Sequence, residues 1–324
     1  MRDGGAGLLD LSARGRILLR GTEVVTFLNG LITNDMKTLA VNSWMPAAFP
    51  NVQGRLLASV RVIHRDDGFL IDTESATRET VLKLLERFTL AGDFRVTDIT
   101  DATAMLSVQG QKAATVLNAV LGNEAAQVEH HSVATARLGD GERVDIIRTT
   151  HTGEDGFDLL IDSDAAGKLR SLLTDAGAES VEPEALETLR VEAGIARYGI
   201  DMDETNVVTE TNLDDAVSFS KGCYLGQEII ARIKYRGHVA KKLSGIIADG
   251  ALTLESDAKI VSVDEKEIGR VTSFTFSPQL ARTIAMAYLK YDYLAPGTAV
   301  KIRSSQADYP AVVAELPFIR GSWD

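Results

Sequence analysis

The chain has 324 residues, of which 45% are hydrophobic and 25% are charged, a composition typical of a globular protein with a sizeable core. Its net charge of −12 argues against a general role on nucleic acids or anionic membranes, because polyanions would be repelled. There is no apolar run of about 18 residues, so no transmembrane helix is predicted. A single cysteine excludes an internal disulfide and fits a reducing compartment. We therefore expect a cytoplasmic protein of roughly two or three domains.

The first 240 residues interleave predicted strands and helices, without the regular alternation that is typical of a parallel sheet. Predicted strands cover residues 17–21, 47–64 (two strands around the turn 51–54), 68–72, 94–99, 105–110, 134–138, 144–148 and 157–161. Predicted helices cover residues 23–31, 77–88, 112–121, 165–176 and 183–199. Phe88 ends the apolar face of the second helix, and Gly139-Asp140-Gly141 predicts a hairpin turn. This order predicts the α+β fold class.

The character of the chain changes near residue 240. Short predicted strands with turn signals follow, at residues 243–248, 258–263, 268–276, 283–289, 298–303 and 310–316. Six short strands in about 80 residues predict a small β-barrel or sandwich. We expect two regions, residues 1–240 and residues 241–324.

The only cysteine lies in the stretch from Ser220 to Gly237, which reads SKGCYLGQEIIARIKYRG. Glycines on both sides leave the thiol of Cys223 approachable, and the apolar spacing after Gly226 predicts that a helix starts there. Lys221 and the helix N-terminus both favour a thiolate, so the pattern predicts a reactive cysteine. The alternative is a small buried apolar residue, which is the usual state of a lone cysteine.

Two other segments contain candidate binding groups. Asp158 follows the turn TGEDG and begins a predicted strand, where a carboxylate can accept two N–H donors of a ligand ring such as a pterin or guanine edge. The alternative is a solvated hairpin turn. Arg190, in the helix after Pro183, can clamp a carboxylate or phosphate, or lie on an ordinary exposed helix face. The five histidines show no metal-site spacing with the cysteine, so no metal site is predicted.

Four segments together resemble one family. They are FLNGLITND (residues 27–35), TGEDGFD (152–158), LRVEAGIARYGIDMDE (189–204) and KGCYLGQE (221–228). The chain is similar to the aminomethyltransferase-like proteins, the family of the glycine cleavage T-protein. The last segment resembles the diagnostic octad of their YgfZ branch, which includes mitochondrial iron–sulfur assembly factors.

The resemblance implies three domains in a ring around a central channel, with two interleaved α+β domains in the first 240 residues and a six-stranded β-barrel in the rest. It also implies a tetrahydrofolate site in the channel. Carried over by position, Asp158 is the pterin-binding carboxylate and Arg190 lies in the helix that supplies an arginine toward the folate tail. Asn51 and Tyr198 are implied to contribute to the same pocket.

One departure from the family pattern bears on the chemistry. The T-protein pattern Asn-x-x-Gly-Gly-x-x-Asp-Asp, whose Asp pair includes the catalytic aspartate, corresponds here to NVQGRLLAS at residues 51–59. Ala58 and Ser59 replace the two carboxylates. Alanine cannot move a proton, and serine is a poor substitute at neutral pH. The departure argues against aminomethyl transfer by the T-protein mechanism.

The sequence therefore favours a tetrahydrofolate-binding protein that supports assembly or repair of iron–sulfur enzymes without classical turnover, with Cys223 and Lys221 as its catalytic pair. Its expected partners are a folate and iron–sulfur assembly proteins or client enzymes, with neither nucleic acid nor membrane. The first alternative is a folate-dependent aminomethyl or one-carbon transferase that uses another base. The second is a non-enzymatic scaffold in which Cys223 is simply packed.

Overall fold

The computed structural model describes residues 1–2, 4–87, 89, 92–122, 125–139, 141–255, 257–305 and 307–323. Phe88 and Asp140, which the sequence places in a helix and a turn, lie outside the described residues. The helices are α1 (Val24–Leu31), α2 (Arg78–Glu86), α3 (Ala113–Leu121), α4 (Ala166–Asp175), α5 (Pro183–Glu192) and α6 (Gln227–Arg236). The strands are β1 (Gly7–Asp10), β2 (Gly15–Arg20), β3 (Ser43–Pro50), β4 (Leu56–Arg65), β5 (Gly68–Thr73), β6 (Arg95–Asp98), β7 (Thr103–Gln109), β8 (Val133–Leu138), β9 (Glu142–Arg148), β10 (Gly156–Asp162), β11 (Glu179–Ser180), β12 (Lys241–Asp249), β13 (Lys259–Ser262), β14 (Glu267–Ser277), β15 (Arg282–Lys290), β16 (Ala299–Arg303) and β17 (Asp308–Ala314).

Two sheets form the first part of the chain, and the chain alternates between them. It begins in a six-stranded sheet of order β11-β1-β7-β10-β9-β8, crosses to a five-stranded sheet of order β3-β4-β5-β2-β6, and returns with β7. Neighbouring strands such as β3 and β4 are antiparallel, whereas β1 and β11 are parallel. The predicted interleaved α+β architecture is confirmed.

The two sheets face each other, and each has helices on its outer side. On β10, Phe157, Leu159 and Ile161 join the core formed with α3 and α4. The residues between them point the opposite way: Asp158 contacts the five-stranded sheet through an ion pair, and Leu160 packs in the apolar cluster shared by both sheets. The two-residue period of a strand thus separates an outer core from an inter-sheet layer.

Strand β4 shows the same alternation. Ala58 and Val60 pack in the outer core formed with α1 and α2. Arg61 and Ile63 face the six-stranded sheet, because the first contacts Asp158 and the second lies in the shared apolar cluster. By the same period, Ser59 lies on the face of Arg61 and Ile63.

The last six strands close into a barrel of order β12-β15-β14-β13-β16-β17. Alternate residues fill its interior, such as Ile246 and Ala248 on β12 and Ala285 and Ala287 on β15. Helix α5 lies against β14 and β15 and connects the barrel to the two-sheet region. The predicted six-stranded β-barrel is confirmed.

The helix that begins at Pro183 is shorter than predicted. It ends at Glu192 instead of continuing toward Gly199, because Gly194 has φ of 65° and the left-handed backbone cannot extend a helix. Helix α6 begins at Gln227, directly after Gly226, as predicted. Within the described ranges, no helix has the length and apolar character needed to cross a membrane.

Candidate functional site

Five side chains form a continuous charge cluster between the two sheets. Asp72 on β5 accepts from Nε of Arg14 at 2.8 Å and from Nε of Arg61 at 2.7 Å. Arg61 reaches across to the six-stranded sheet, where its Nη2 donates to Asp158 at 2.6 Å. Nε2 of His151 lies 3.0 Å from both oxygens of Asp158. We call these five residues the inter-sheet charge cluster.

The carboxyl group of Asp158 is held ionised within this cluster. Its burial by itself raises the pKa, but electrostatic attraction to His151 and Arg61 outweighs burial and holds the pKa of Asp158 well below its usual range. Hydrogen bonds from His151 and Ser107 act in the same direction. Asp158 is therefore a negatively charged acceptor at neutral pH, although it is fully buried in the protein alone.

Arg61 holds the cluster together, and no motif in the sequence predicts this role. Its Nε and Nη2 are taken by Asp72 and Asp158, whereas Nη1 is buried and has no hydrogen-bond partner among the described residues. Its guanidinium carbon lies 5.6 Å from the centre of the Trp44 ring. The available sequence signal is an arginine at an inward position of a mainly apolar strand, two residues after Ser59.

Ser59 lies between the inter-sheet charge cluster and a second group of predicted site residues. It is paired with Ala48 across the β3–β4 ladder, and Ala48 packs in one cluster with Tyr224 and Tyr198. Ala58 is completely buried on the opposite face, in the outer core. Of the two positions that carry carboxylates in the T-protein pattern, only position 59 therefore faces the predicted site.

The KGCYLGQE segment lies on the turn that joins β3 to β4. Gly226 has φ of 78°, and a Cβ atom there would lie 2.3 Å from the carbonyl oxygen of Asn51, so the close approach requires glycine. The side-chain oxygen of Asn51 accepts from two amides of its own turn, those of Gln53 and Arg55. Cys223 is exposed, which contradicts the alternative of a packed cysteine.

Lys221 is held in place by backbone carbonyl groups. Its Nζ donates to the carbonyl oxygens of Ile32 at 2.9 Å and Asn34 at 2.6 Å, and it lies 4.9 Å from the centre of the Tyr224 ring. Burial lowers the pKa of Lys221 to about 8. The amine therefore anchors the FLNGLITND segment to the KGCYLGQE segment.

Arg190 and Tyr198 also have partners inside the protein. Arg190 donates to Asp201 at 2.6 Å and to Ser273 of the barrel at 2.7 Å, and it pairs with Glu187. Burial alone would lower the pKa of Arg190, but Glu187 and Asp201 raise it. The hydroxyl of Tyr198 donates to a backbone carbonyl at 3.3 Å, and burial raises its pKa to about 12.

The predicted site residues therefore fall into groups. Asn51, Tyr198, Lys221 and Cys223 lie around the β3–β4 turn, at the Leu56 end of β4. Asp158 contacts Arg61, which lies on β4 about 16 Å beyond Leu56. Arg190 lies against the barrel. A separate cavity of about 950 Å³ lies beside α5, and its described lining includes none of these residues.

Comparisons with known proteins agree along nearly the whole chain. The model of the GCVT N-terminal domain matches residues 2–221, and that of the glycine cleavage T-protein C-terminal barrel domain matches residues 241–319. An aminomethyltransferase of Picosynechococcus sp. is 31% identical over 98% of this chain and 87% of the relative. One of Rubrobacter xylanophilus is 32% identical over 97% of this chain and 83% of the relative. A crystal structure of the glycine cleavage system aminomethyltransferase T from Bartonella henselae superposes with a TM-score of 0.88 at 23% identity, over 98% of this chain and 87% of that one, which supports the fold.

These comparisons correct the main functional prediction. A role in iron–sulfur cluster assembly or repair is wrong, because relatives at 31% and 32% identity over nearly the whole chain are aminomethyltransferases. The same finding gives no support to the expectation of no classical turnover, nor to iron–sulfur proteins as partners. The misleading signal in the sequence is the loss of two carboxylates at Ala58 and Ser59, which argues against aminomethyl transfer by the T-protein mechanism.

Proposed function

Since the chain belongs to the glycine cleavage T-protein family, we propose that it is a folate-dependent aminomethyltransferase, which transfers the carbon of an aminomethyl group to tetrahydrofolate. The observation that carries the proposal is the inward face of β4. The Arg61–Asp158 pair lies at one end of this face, and the cluster of Ala48 and Tyr224 lies at the other. Ser59 lies between them. A long ligand with a ring at one end and a tail at the other matches such an extended face.

Asp158 is the group that we assign to the pterin ring. A carboxylate offers about four acceptor positions, and the imidazole of His151 spans both oxygens of Asp158. The side chain of His151 is 19% exposed, so it is the partner of Asp158 that borders solvent. We infer that His151 turns away when the ligand enters, and that ring N–H groups replace the imidazole as donors to Asp158.

One orphaned atom supports the fit of a pterin at this place. Nη1 of Arg61 is a buried donor without a partner among the described residues, directly beside Asp158. A pterin ring carries a carbonyl acceptor next to an N–H donor, which complements this donor and acceptor. Tetrahydrofolate supplies the nucleophilic amines that accept the carbon. The chain's own residues bind and orient the ring, and neither Ala58 nor Ser59 supplies a carboxylate base.

The other predicted residues have defined places in the proposal. Asn51 and Tyr198 lie toward the tail, at the turn end of β4. Arg190 can serve a tail carboxylate by exchanging its partner Glu187, whose side chain is 31% exposed. Lys221 holds the segment that carries Cys223, and catalytic roles for these two residues stay predictions. On the KGCYLGQE octad we also propose that the chain lies in the YgfZ branch of the family.

The test compares the wild-type protein with two matched variants of β10. Asp158→Asn removes a charged acceptor, and because such hydrogen bonds contribute about 1.5–3 kcal/mol, we expect the Kd for tetrahydrofolate to rise about tenfold to hundredfold. Asp162→Asn, at the exposed end of the same strand, is expected to leave the Kd unchanged. Calorimetric titration measures binding, and ammonia release with an aminomethyl donor measures turnover. Ammonia release that does not depend on tetrahydrofolate would contradict the proposal.

A further inference from the structure

We propose that Arg61 selects the ligand of this site, by donating a hydrogen bond from Nη1 to the carbonyl oxygen at position 4 of the pterin ring. The inference rests on the proposed function and deepens it, because it names the ligand atom that the protein recognises. It also makes Arg61 a specificity-determining residue as well as a structural link between the sheets.

The first argument is the state of the guanidinium group. Arg61 is only 9% exposed, and two of its three nitrogens are bound to carboxylates, Nε to Asp72 and Nη2 to Asp158. No described residue supplies an acceptor to Nη1, which is buried. Leaving a buried donor of a charged group without an acceptor is costly, so this position calls for an acceptor from water or a ligand.

The second argument is the contrast with the neighbouring arginines. Arg14 places Nε and Nη2 on Asp72 and Nη1 on Glu74. Arg16 places all three nitrogens on side-chain and backbone oxygens of the same region, such as those of Thr103. These two guanidinium groups are therefore complete within the protein. Arg61 differs from them because its donor Nη1 has no acceptor among the described residues.

The third argument is the pairing of groups around Nη1. Asp158 lies 2.6 Å from the adjacent Nη2, so a donor and an ionised acceptor stand side by side. The guanidinium carbon of Arg61 lies 5.6 Å from the centre of the Trp44 ring, so an aromatic side chain also borders this position. In a pterin, the carbonyl at position 4 adjoins the N–H at position 3. A planar ring can thus accept a hydrogen bond from Arg61 with its carbonyl and, at the same time, donate one to Asp158 from its N–H.

The experiment uses an analogue in which only the recognised atom is changed. In the 4-thio analogue of tetrahydrofolate, a sulfur atom, which is a weak acceptor, replaces the carbonyl oxygen, and the N–H at position 3 is kept for Asp158. We expect wild-type protein to bind tetrahydrofolate about tenfold more tightly than this analogue, because the hydrogen bond from a charged group is weakened. Arg61→Lys, which cannot span both carboxylates and a ligand, should reduce the ratio to about threefold or less.

Arg14→Lys is the matched control, because Arg14 binds the same Asp72 and has no free donor. It is expected to keep the wild-type ratio. Equal binding of both compounds by wild-type protein would overturn the inference and leave water at Nη1, and an unchanged ratio in Arg61→Lys would overturn it as well. If Arg61→Lys fails to fold, the wild-type ratio decides. Binding with the expected ratio but without turnover would refute the transferase and leave the role of Arg61 standing, whereas no folate binding would refute both.

Discussion

Restoring a carboxylate at position 59 is expected to raise turnover about 100-fold or more, whereas the same change at position 58 is expected to unfold the protein. Ser59 shares the inward face of β4 with Arg61, so Ser59→Asp places a proton acceptor in the candidate site. General acid–base catalysis contributes about 10²–10⁴-fold when such a group is present. Steady-state ammonia release at saturating tetrahydrofolate measures the gain.

Ala58→Asp is the control, since it adds the same side chain one residue away. Ala58 is fully buried and packs with Val60 in the hydrophobic outer core. Burying an unpaired carboxylate costs several kcal/mol, so little folded protein is expected by circular dichroism. A stable, faster Ala58→Asp variant beside an inactive Ser59→Asp variant would show that the other face of β4 borders the reaction.

Neutralising Asp72 is expected to give the largest loss of stability of any single change in the inter-sheet charge cluster. Asp72 is fully buried and accepts from both Arg14 and Arg61. Asp72→Asn removes the negative charge that pairs with two buried guanidinium groups, and breaking a buried pair costs about 3–5 kcal/mol. Urea denaturation followed by circular dichroism measures the change. As a control, Glu79→Gln breaks an exposed pair with Lys83 and should cost about 0.5 kcal/mol or less.

The same carboxyl group predicts how stability depends on pH. Burial would raise the pKa of Asp72, but electrostatic attraction to Arg14 and Arg61 outweighs burial and holds the pKa of Asp72 below its usual range. A carboxyl with a lowered pKa in the folded state stabilises the protein above its unfolded pKa and loses that contribution as pH falls through the folded value. The free energy of unfolding should therefore drop below about pH 4. Asp72→Asn should flatten this drop, and an equally steep drop in that variant would contradict the assignment.

Local patterns were sufficient to predict most of the fold. The start of α6 after Gly226 follows from apolar spacing and a glycine, and the barrel strands follow from short alternating runs with turns. The end of α5 differs from the prediction because the backbone of Gly194 is left-handed and terminates the helix, which apolar spacing alone does not reveal.

The site depended on contacts that no local pattern contains. Arg61 and Asp158 are 97 residues apart and meet only because two sheets pack face to face. The helix that contains Arg190 suggests a ligand-binding arginine. In the structure, Arg190 instead donates to Ser273, which is 83 residues away in the barrel. Ala58 and Ser59 look equivalent in the sequence. Only the folded sheet shows that Ala58 points to the outer core and Ser59 to the opposite, inward face of β4.

The most direct test of the proposed activity follows the carbon itself. A ¹³C-labelled aminomethyl donor is mixed with wild-type protein and tetrahydrofolate, and the label is followed by NMR while ammonia is measured in the same sample. We predict that the labelled carbon appears on the folate, with one ammonia released for each carbon transferred. Tight binding of tetrahydrofolate with all of the label retained on the donor would contradict the assignment as an aminomethyltransferase.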